Sequence, residues 1–381
     1  MVFLINALNS RKKAGGGYQI ALNFIKYAFS VKKDWVYLLS EDLYQSLKND
    51  VDNSGVVYYI YPNQPDLKTH WKVQKGISEI EEKHKPIIVY SLTSPSYFKF
   101  RAKEVLRFAN AWDTNPNDLA KQSLPYKERI FMSIKHLITK KAMLRSRFII
   151  TQSQTVKEGI VKLTGIPSSN VAVVPNVLPG VFSSQIPAEK PNLDTIRIVY
   201  TAAPLPHKDH IIIPETLSIL SYKYAINNVI VYLTLPEQSD IWKSVKKRAT
   251  ELGVDKQLVN LGYQSQLDLT KVYNQCQIGF FPTLLETFSA TILEYMKFDL
   301  IVVASDFSFN REVTKEAAIY FKPHNPNAAA DALHKAVGEL KASSKERLMI
   351  SNNELKRFES YEHHFNGICD FLDQVALKVN S

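Results

Sequence analysis

The sequence is short of sulfur. Only two cysteines, Cys276 and Cys369, occur in 381 residues. Both lie in apolar helical contexts without metal-ligand spacing, so a disulfide framework is excluded and reduced core thiols are expected. Long hydrophobic runs are missing too. None reaches the roughly 18 apolar residues of a membrane-spanning helix. The opening Met1–Leu8 stretch is too short and too soon interrupted for a secretory signal, so a cytoplasmic protein is expected. No internal repeat or low-complexity tract appears. The spaced-glycine dinucleotide fingerprint is absent, which disfavours a nicotinamide cofactor. Metal ligands are no better represented. His207 and His210 stand three apart with no third ligand nearby, and read as ordinary loop residues. Asp50-Val-Asp52 has the spacing of a metal-binding acidic pair but sits at a helix end, and reads as a turn.

What is present is globular: 45% hydrophobic and 22% charged residues, enough for two cores in a chain of this length. The net charge of +10 is lopsided. Residues 1–185 hold 26 Lys and Arg against 14 Asp and Glu, whereas residues 186–381 hold 21 against 23. The first half would therefore attract phosphates, nucleic acid or an anionic membrane.

Short β-branched runs alternate with helical-period segments, the pattern of parallel α/β units. Strands are expected at Val2–Leu8, Trp35–Ser40, Val56–Tyr61, Pro86–Thr93, Val105–Ala111, Phe148–Gln152 and Val171–Pro175. Six more fall at Ile196–Ala202, Val229–Leu235, Leu258–Gly262, Ile278–Pro282, Leu300–Ser305 and Ala318–Phe321. Pro179, Gly180, Pro187 and Pro191 make 178–192 read as a linker. The expected architecture is two doubly wound, Rossmann-like domains facing across a cleft. The first spans 1–185 and the second 193–355, and a final helix over 356–381 packs back toward the first. Ligands of such sheets sit at the carboxyl ends of the strands.

Three loops there carry candidate chemistry. Ala14-Gly15-Gly16-Gly17-Tyr18 follows the first strand, where glycines let a backbone approach a ligand and a helix start favours an anion. A tight turn is the plainer alternative. Ala203-Pro-Leu-Pro-His-Lys208 follows the eighth strand, and its lysine is either a point charge for a diphosphate or a solvated loop residue. Pro282-Thr-Leu-Leu-Glu286-Thr-Phe288-Ser-Ala-Thr-Ile-Leu-Glu294 follows the eleventh. A helix beginning near Phe288 would aim the N–H groups of Phe288, Ser289 and Ala290 at a ligand. Glu286 could then accept from sugar hydroxyls and Glu294 from a ribose.

That last segment, with Val302-Val-Ala-Ser305-Asp306 and Asn310-Arg-Glu312-Val, resembles the donor-site signature of glycosyltransferase family 4. The glycine loop, Ile149–Ser153, Val173–Asn176, Lys208, Leu261-Gly262-Tyr263 and Tyr320–Pro323 follow in that family's order. The resemblance implies a GT-B fold and a retaining, metal-independent hexosyltransferase, without a cofactor, acting in cell-surface polysaccharide assembly. It moves a sugar from a nucleotide-sugar donor to a glycan or lipid-linked acceptor. It further implies that Lys208 and the helix start, with Thr291, meet the diphosphate, and that Gly16 and Gly17 face donor phosphates or acceptor. Tyr263 would lie by the base, Glu286 by the donor sugar and Glu294 by the ribose. The arginine that many members carry before the lysine is absent at Ala202–Pro206, and Trp112-Asp113 has no histidine, leaving Asp113 for the acceptor side. A nucleotide-sugar epimerase on the same two domains is one alternative, and the departures keep open another, a donor-binding protein impaired in catalysis.

The basic stretch Arg129–Arg147 carries Ile130, Phe131, Ile134, Leu137 and Ile138 among its lysines and arginines. It is either an amphipathic core helix with a solvated face or a peripheral contact with the inner face of an anionic membrane. Nucleic acid is disfavoured, since no recognisable binding module appears.

Overall fold

The computed structural model describes residues 2–12, 16–63, 67–94, 97–342 and 345–380. Strands form at all thirteen expected places; Ala318–Phe321 has the expected bounds, the strand expected at Val105–Ala111 begins earlier, at Lys103, and the others are slightly shorter than expected. Seven build one parallel sheet: β1 (Phe3–Ala7), β2 (Val36–Ser40), β3 (Val57–Tyr61), β4 (Ile88–Ser91), β5 (Lys103–Arg107), β6 (Phe148–Thr151) and β7 (Val171–Val173). Their order is β3-β2-β1-β4-β5-β6-β7. Six build the other: β8 (Ile196–Tyr200), β9 (Val229–Leu233), β10 (Leu258–Asn260), β11 (Ile278–Phe281), β12 (Ile301–Ser305) and β13 (Ala318–Phe321), in the order β10-β9-β8-β11-β12-β13. Both sheets are α/β and doubly wound. Contacts divide the chain into two compact units. One is Met1–Thr114 with Met132–Val174 and Glu362–Ser381; the other is Asn115–Phe131 with Pro175–Tyr361.

In the first unit the central strands are buried along their whole length, as β1, β2 and β4 show, because helices cover both faces. Only edge strand β3 exposes apolar residues, Val57 and Ile60. Ser40 caps the helix Glu41–Ser54 by accepting from Leu43 N–H, and Gly55 at φ 68° ends it in the left-handed region. Asp50 and Asp52 lie in the last turn of that helix. Asp50 pairs with Lys26 at 3.6 Å and Asp52 accepts from the Tyr58 hydroxyl. The helix Tyr361–Asn380 packs Phe365 against Phe24 and Trp35, at 5.2 and 5.9 Å between ring centres.

The helix Tyr126–Ser146 corrects the core-helix reading of the basic stretch. Its buried residues are Thr139, Ala142, Met143 and Ser146. Ile130, Phe131, Ile134, Leu137 and Ile138 are exposed.

In the second unit, segment 178–192 is no free linker. Phe182 is fully buried against Tyr273 and Phe298. Leu178 N–H bonds the Phe358 carbonyl, and Lys190 Nζ donates to the Tyr273 carbonyl at 2.8 Å. Cys276 and Cys369 are free and buried, and burial pushes their thiols up to about 12 and about 11.

Gly279 in β11 lies under the Tyr295 ring; a Cβ built there would stand 2.2 Å from Tyr295 Cδ2. Tyr295 is wholly buried and its hydroxyl accepts from Thr201 N–H, so the ring has no free direction in which to yield. Gly279→Ala should destabilise the second unit by about 1–3 kcal/mol through overpacking. Urea unfolding midpoints measure it, and an unchanged midpoint would show that the ring can shift.

Candidate active site

In the second unit the chain lays β8, β9 and β10 outward and then returns to place β11 on the other side of β8. The loops leaving β8 and β11 therefore diverge over two adjacent strand ends, where open sheets of this kind take ligands. Lys208 stands in the first loop and Glu286 in the second. They meet. Lys208 Nζ forms an ion pair with Glu286 Oε1, both side chains mostly buried, with the ammonium 5.9 Å from the centre of the Phe281 ring.

Backbone bonds hold the two loops together. Leu284 N–H donates to the His207 carbonyl at 2.8 Å, and the Thr283 hydroxyl donates to the same oxygen at 3.3 Å. The Thr283 carbonyl in turn accepts from Ser305 at the end of β12. The Tyr200 hydroxyl donates to the Lys208 carbonyl at 2.7 Å. Asp209, at φ 54°, is buried and accepts from His324 Nδ1 at 2.9 Å. Burial raises Asp209 to about 6 despite the histidine. Asn117 donates to the Leu284 carbonyl at 2.6 Å and adds a further tie to the loop after β11.

His207 and His210 are neutral near pH 7. Burial, reinforced by the Lys208 charge, lowers His207 to about 4 and His210 to about 3. His210 packs against the Tyr200 ring at 4.6 Å, and neither ring nitrogen has a hydrogen-bond partner.

The helix after β11 begins at Ala290, two residues later than expected, because Ser289 is still extended at φ −104°, ψ 116°. Ser289 is the N-cap without a side-chain bond, so Ala290 and Thr291 supply the first-turn N–H groups. Phe288 is buried, edge-on to Phe358 at 5.5 Å. Glu294 is 8% exposed and accepts from the Tyr273 hydroxyl at 2.6 Å. Tyr273 also meets Thr201 Oγ1 at 3.0 Å, which in turn lies 3.3 Å from the Tyr295 hydroxyl. Glu294 is thus tied through Tyr273 to the end of β8. Tyr263 is apart from this cluster, 88% exposed beside Gly262 at φ 68°.

The remaining candidates belong to the first unit. Gly16 and Gly17 open the helix Gly16–Ser30, and a Cβ on either would meet nothing within 4 Å. Ala14 and Gly15 lie outside the described residues. Asp113 is buried and accepts from Asn110 Nδ2 at 2.6 Å. Histidine is missing beside it in sequence but not in space, because His136 Nδ1 lies 3.3 Å from its Oδ1. Burial raises the Asp113 carboxyl, and His136 and Thr139 partly oppose this.

Sequence reasoning missed Asn117, Thr201, Tyr273, Asp209, His324 and His136. A polar Thr201 directly after β8 was a readable sign, since strand ends of this sheet face the ligand crevice. The others come together only through tertiary contacts.

With this geometry established, known proteins supply the class. Residues 182–357 match the family model of Glycosyl transferases group 1. The chain carries a glycosyl transferases group 1 domain and is a glycosyltransferase. No curated protein matches it in sequence. Its structure is similar to that of a glycosyltransferase from Rickettsia africae, at 15% identity and a TM-score of 0.72, covering 100% of this chain and 98% of that one. Anabaena HepE in complex with UDP gives 14% and 0.69 over 98% and 99%. Sucrose-phosphate synthase from Thermosynechococcus elongatus gives 13% and 0.68 over 98% of each chain. At such identities the likeness speaks for the fold, which is the GT-B glycosyltransferase fold. The group 1 match contains Lys208, Glu286 and Glu294 together, on the loops and helix that the strand order brings side by side.

Burial holds a proton on Glu294, raising it from 4.5 to about 7, with the Tyr273 bond opposing. A carboxyl that binds its proton more tightly when folded contributes less stability as pH rises. For Glu294 that loss develops between about 4.5 and 7 and persists above. Glu294→Gln keeps an acceptor for Tyr273 and removes the titration. Its unfolding free energy should decline less across this window than the wild type's, by urea unfolding at several pH values. Identical slopes would show that Glu294 does not titrate there.

Proposed function

We propose that this glycosyltransferase is a retaining, metal-independent enzyme that moves a hexose from a nucleotide-sugar donor to a glycan or lipid-linked acceptor in cell-surface polysaccharide assembly. The observation that carries the reading is the Lys208–Glu286 ion pair over the ends of β8 and β11. A diphosphate sugar offers each partner a substitute: phosphate oxygens for the ammonium and sugar hydroxyls for the carboxylate. The pair would open as the donor enters. HepE structures hold UDP with glucose and UDP-glucose, and a donor of that class suits such a site.

In the proposed reaction the bond from the anomeric carbon to the diphosphate oxygen breaks. The acceptor oxygen bonds on the same face and its proton passes to the leaving phosphate. Negative charge grows on that phosphate, where Lys208 and the Ala290 and Thr291 N–H groups stabilise it, with Ser289 opening the turn. Such preorganised donors are worth roughly 3–4 kcal/mol each. Glu294 would take the ribose hydroxyls, Tyr263 the base, and Phe288 would shape the turn from below. Asp113, Gly16 and Gly17 are assigned to the acceptor side. The buried free thiols suit a reducing, cytoplasmic compartment.

Sugar release or transfer from a panel of nucleoside-diphosphate sugars tests the reading. Lys208→Ala should lower turnover about 100-fold or more, the usual scale for removing one charge-stabilising donor. Glu286→Gln should chiefly weaken donor binding, and a chelator should leave turnover unchanged. Both variants turning over at the wild-type rate would sink the assignment.

A further inference from the structure

The first unit has its own reversal of winding. β1, β2 and β3 run outward, and β4 then returns to the other side of β1. The loops leaving β1 and β4 therefore diverge over adjacent strand ends, the place where open sheets take ligands. A cavity of ≈ 210 Å³ opens there. Asn9 and Arg11 line it from the loop after β1, Tyr97 and Phe98 from the loop after β4, Tyr61 from the end of β3, and His70 from the helix Leu67–His84.

Bonds outside the cavity hold its walls. Gln74 donates to the Lys99 carbonyl at 2.7 Å and accepts from Lys99 N–H at 2.9 Å, which fixes the loop carrying Tyr97 and Phe98. The His70 ring stacks on Phe98 at 4.7 Å between centres, 13° from parallel. Tyr61 is set against Gly76, where a Cβ would stand 2.7 Å from the phenol oxygen. Burial raises that phenol, so it is a neutral hydrogen-bond donor near pH 7. On the opposite wall Ser10 N–H bonds the Ala7 carbonyl, and the Ser10 carbonyl accepts from Ser40 Oγ at 2.5 Å. Lys12 N–H donates to Asp42 at 2.9 Å. Arg11 is thus pinned on both sides in the chain.

The chemistry of the lining selects the ligand. Arg11 Nε is buried and has no hydrogen-bond partner. No Asp or Glu lines the cavity. The acid that the neighbouring segments reach, Asp42, is already engaged by Lys12 N–H and Asn63 Nδ2. A desolvated guanidinium nitrogen left without a partner is costly, and a carboxylate or phosphate matches its fork of donors. Most of the remaining wall is aromatic, with Tyr97 54% exposed at the rim. Ring faces suit the apolar C–H face of a sugar, while Asn9 and Tyr61 offer hydrogen bonds to its hydroxyls. The cavity is smaller than the roughly 300–1,000 Å³ that drug-sized ligands occupy, which suits one sugar ring and not a nucleotide.

We propose that this cavity holds a single sugar ring bearing a carboxylate or a phosphate, with Arg11 on the anionic group and Tyr97 on the ring. That the ring belongs to the acceptor rests on the proposed function; its binding does not.

The test is ligand-observed NMR titration of the full chain with glucuronic acid, glucose 6-phosphate and glucose, in the absence of donor. At least one anionic sugar should bind about tenfold or more tightly than glucose, the scale of one hydrogen bond to a charged group. The tighter of the two identifies the group as carboxylate or phosphate. Arg11→Gln should abolish the preference, and Tyr97→Ala should weaken the preferred sugar about threefold or more. Both variants should keep the wild-type unfolding midpoint. Equal affinity for all three sugars, no binding of any, or a preference that survives Arg11→Gln overturns the proposal. So does full affinity in Tyr97→Ala, or inorganic phosphate binding as tightly as the preferred sugar. Binding without transfer from any donor would count against the proposed reaction and not against this site.

Discussion

The site depends on one constraint, the reversal of winding between β8 and β11. A chain that builds a parallel sheet outward in one direction must return across the first strand to extend the other half. Its connecting loops at that seam then leave in opposite senses. The seam lies between β8 and β11, which puts the loops bearing Lys208 and Glu286 next to each other although the two residues are 78 positions apart. Neither residue has a specific meaning by itself. Side by side they form a charge pair, and in the proposed function each member would exchange its partner for part of a diphosphate sugar. The pair also keeps two poorly hydrated charges neutralised when no donor is bound, since a partly buried charge left alone is costly.

The groups around this pair set its electrostatics. His207 and His210 are neutral because burial and Lys208 disfavour their charged forms, so they do not compete with the lysine for an anion. Asp209 is adjacent but turned to His324, leaving Glu286 as the carboxylate that faces the ammonium. Below, Glu294, Tyr273, Thr201 and Tyr295 form a buried polar network. Burial raises the Glu294 carboxyl and the Tyr273 hydroxyl alike. Such a network rigidifies the start of the helix Ala290–Lys297 against the end of β8. The N–H groups of that helix are consequently held in place, which the electrostatic stabilisation in the proposed function would require.

The strands were legible because a strand covered on both faces must be mostly apolar; β1, β2, β4, β11 and β12 are buried at every residue, with Asn6, Ser40, Ser91 and Ser305 as their polar members. Lys208, Glu286 and Glu294 were legible as a family pattern, while the meeting of Lys208 with Glu286 depends on strand order. Other features left no local trace. His136 reaches Asp113 from 23 positions away, so the sequence neighbour Trp112 suggested a missing histidine that the fold provides from another helix. Prolines made 178–192 look unstructured, yet Phe182 anchors it in the core. Ser289 and Phe288 mark the limit of propensity reasoning. A helix start there suits the apolar period, and only packing against Phe358 shows that Phe288 turns inward before the helix begins.

Apolar periodicity reports that a helix has two faces, but not which one points inward. For the helix Tyr126–Ser146 the buried residues, Thr139, Ala142, Met143 and Ser146, all lie in its C-terminal part, and no residue of 126–138 is buried. That leaves Phe131, Ile134 and Leu137 with no partner in the fold. Solvation disfavours large exposed apolar residues, and nearby lysines keep such a surface from closing on a copy of itself. The combination is stable in water and unsatisfied in water. Residues 1–185 hold 26 Lys and Arg against 14 Asp and Glu, and the helix falls within that basic half.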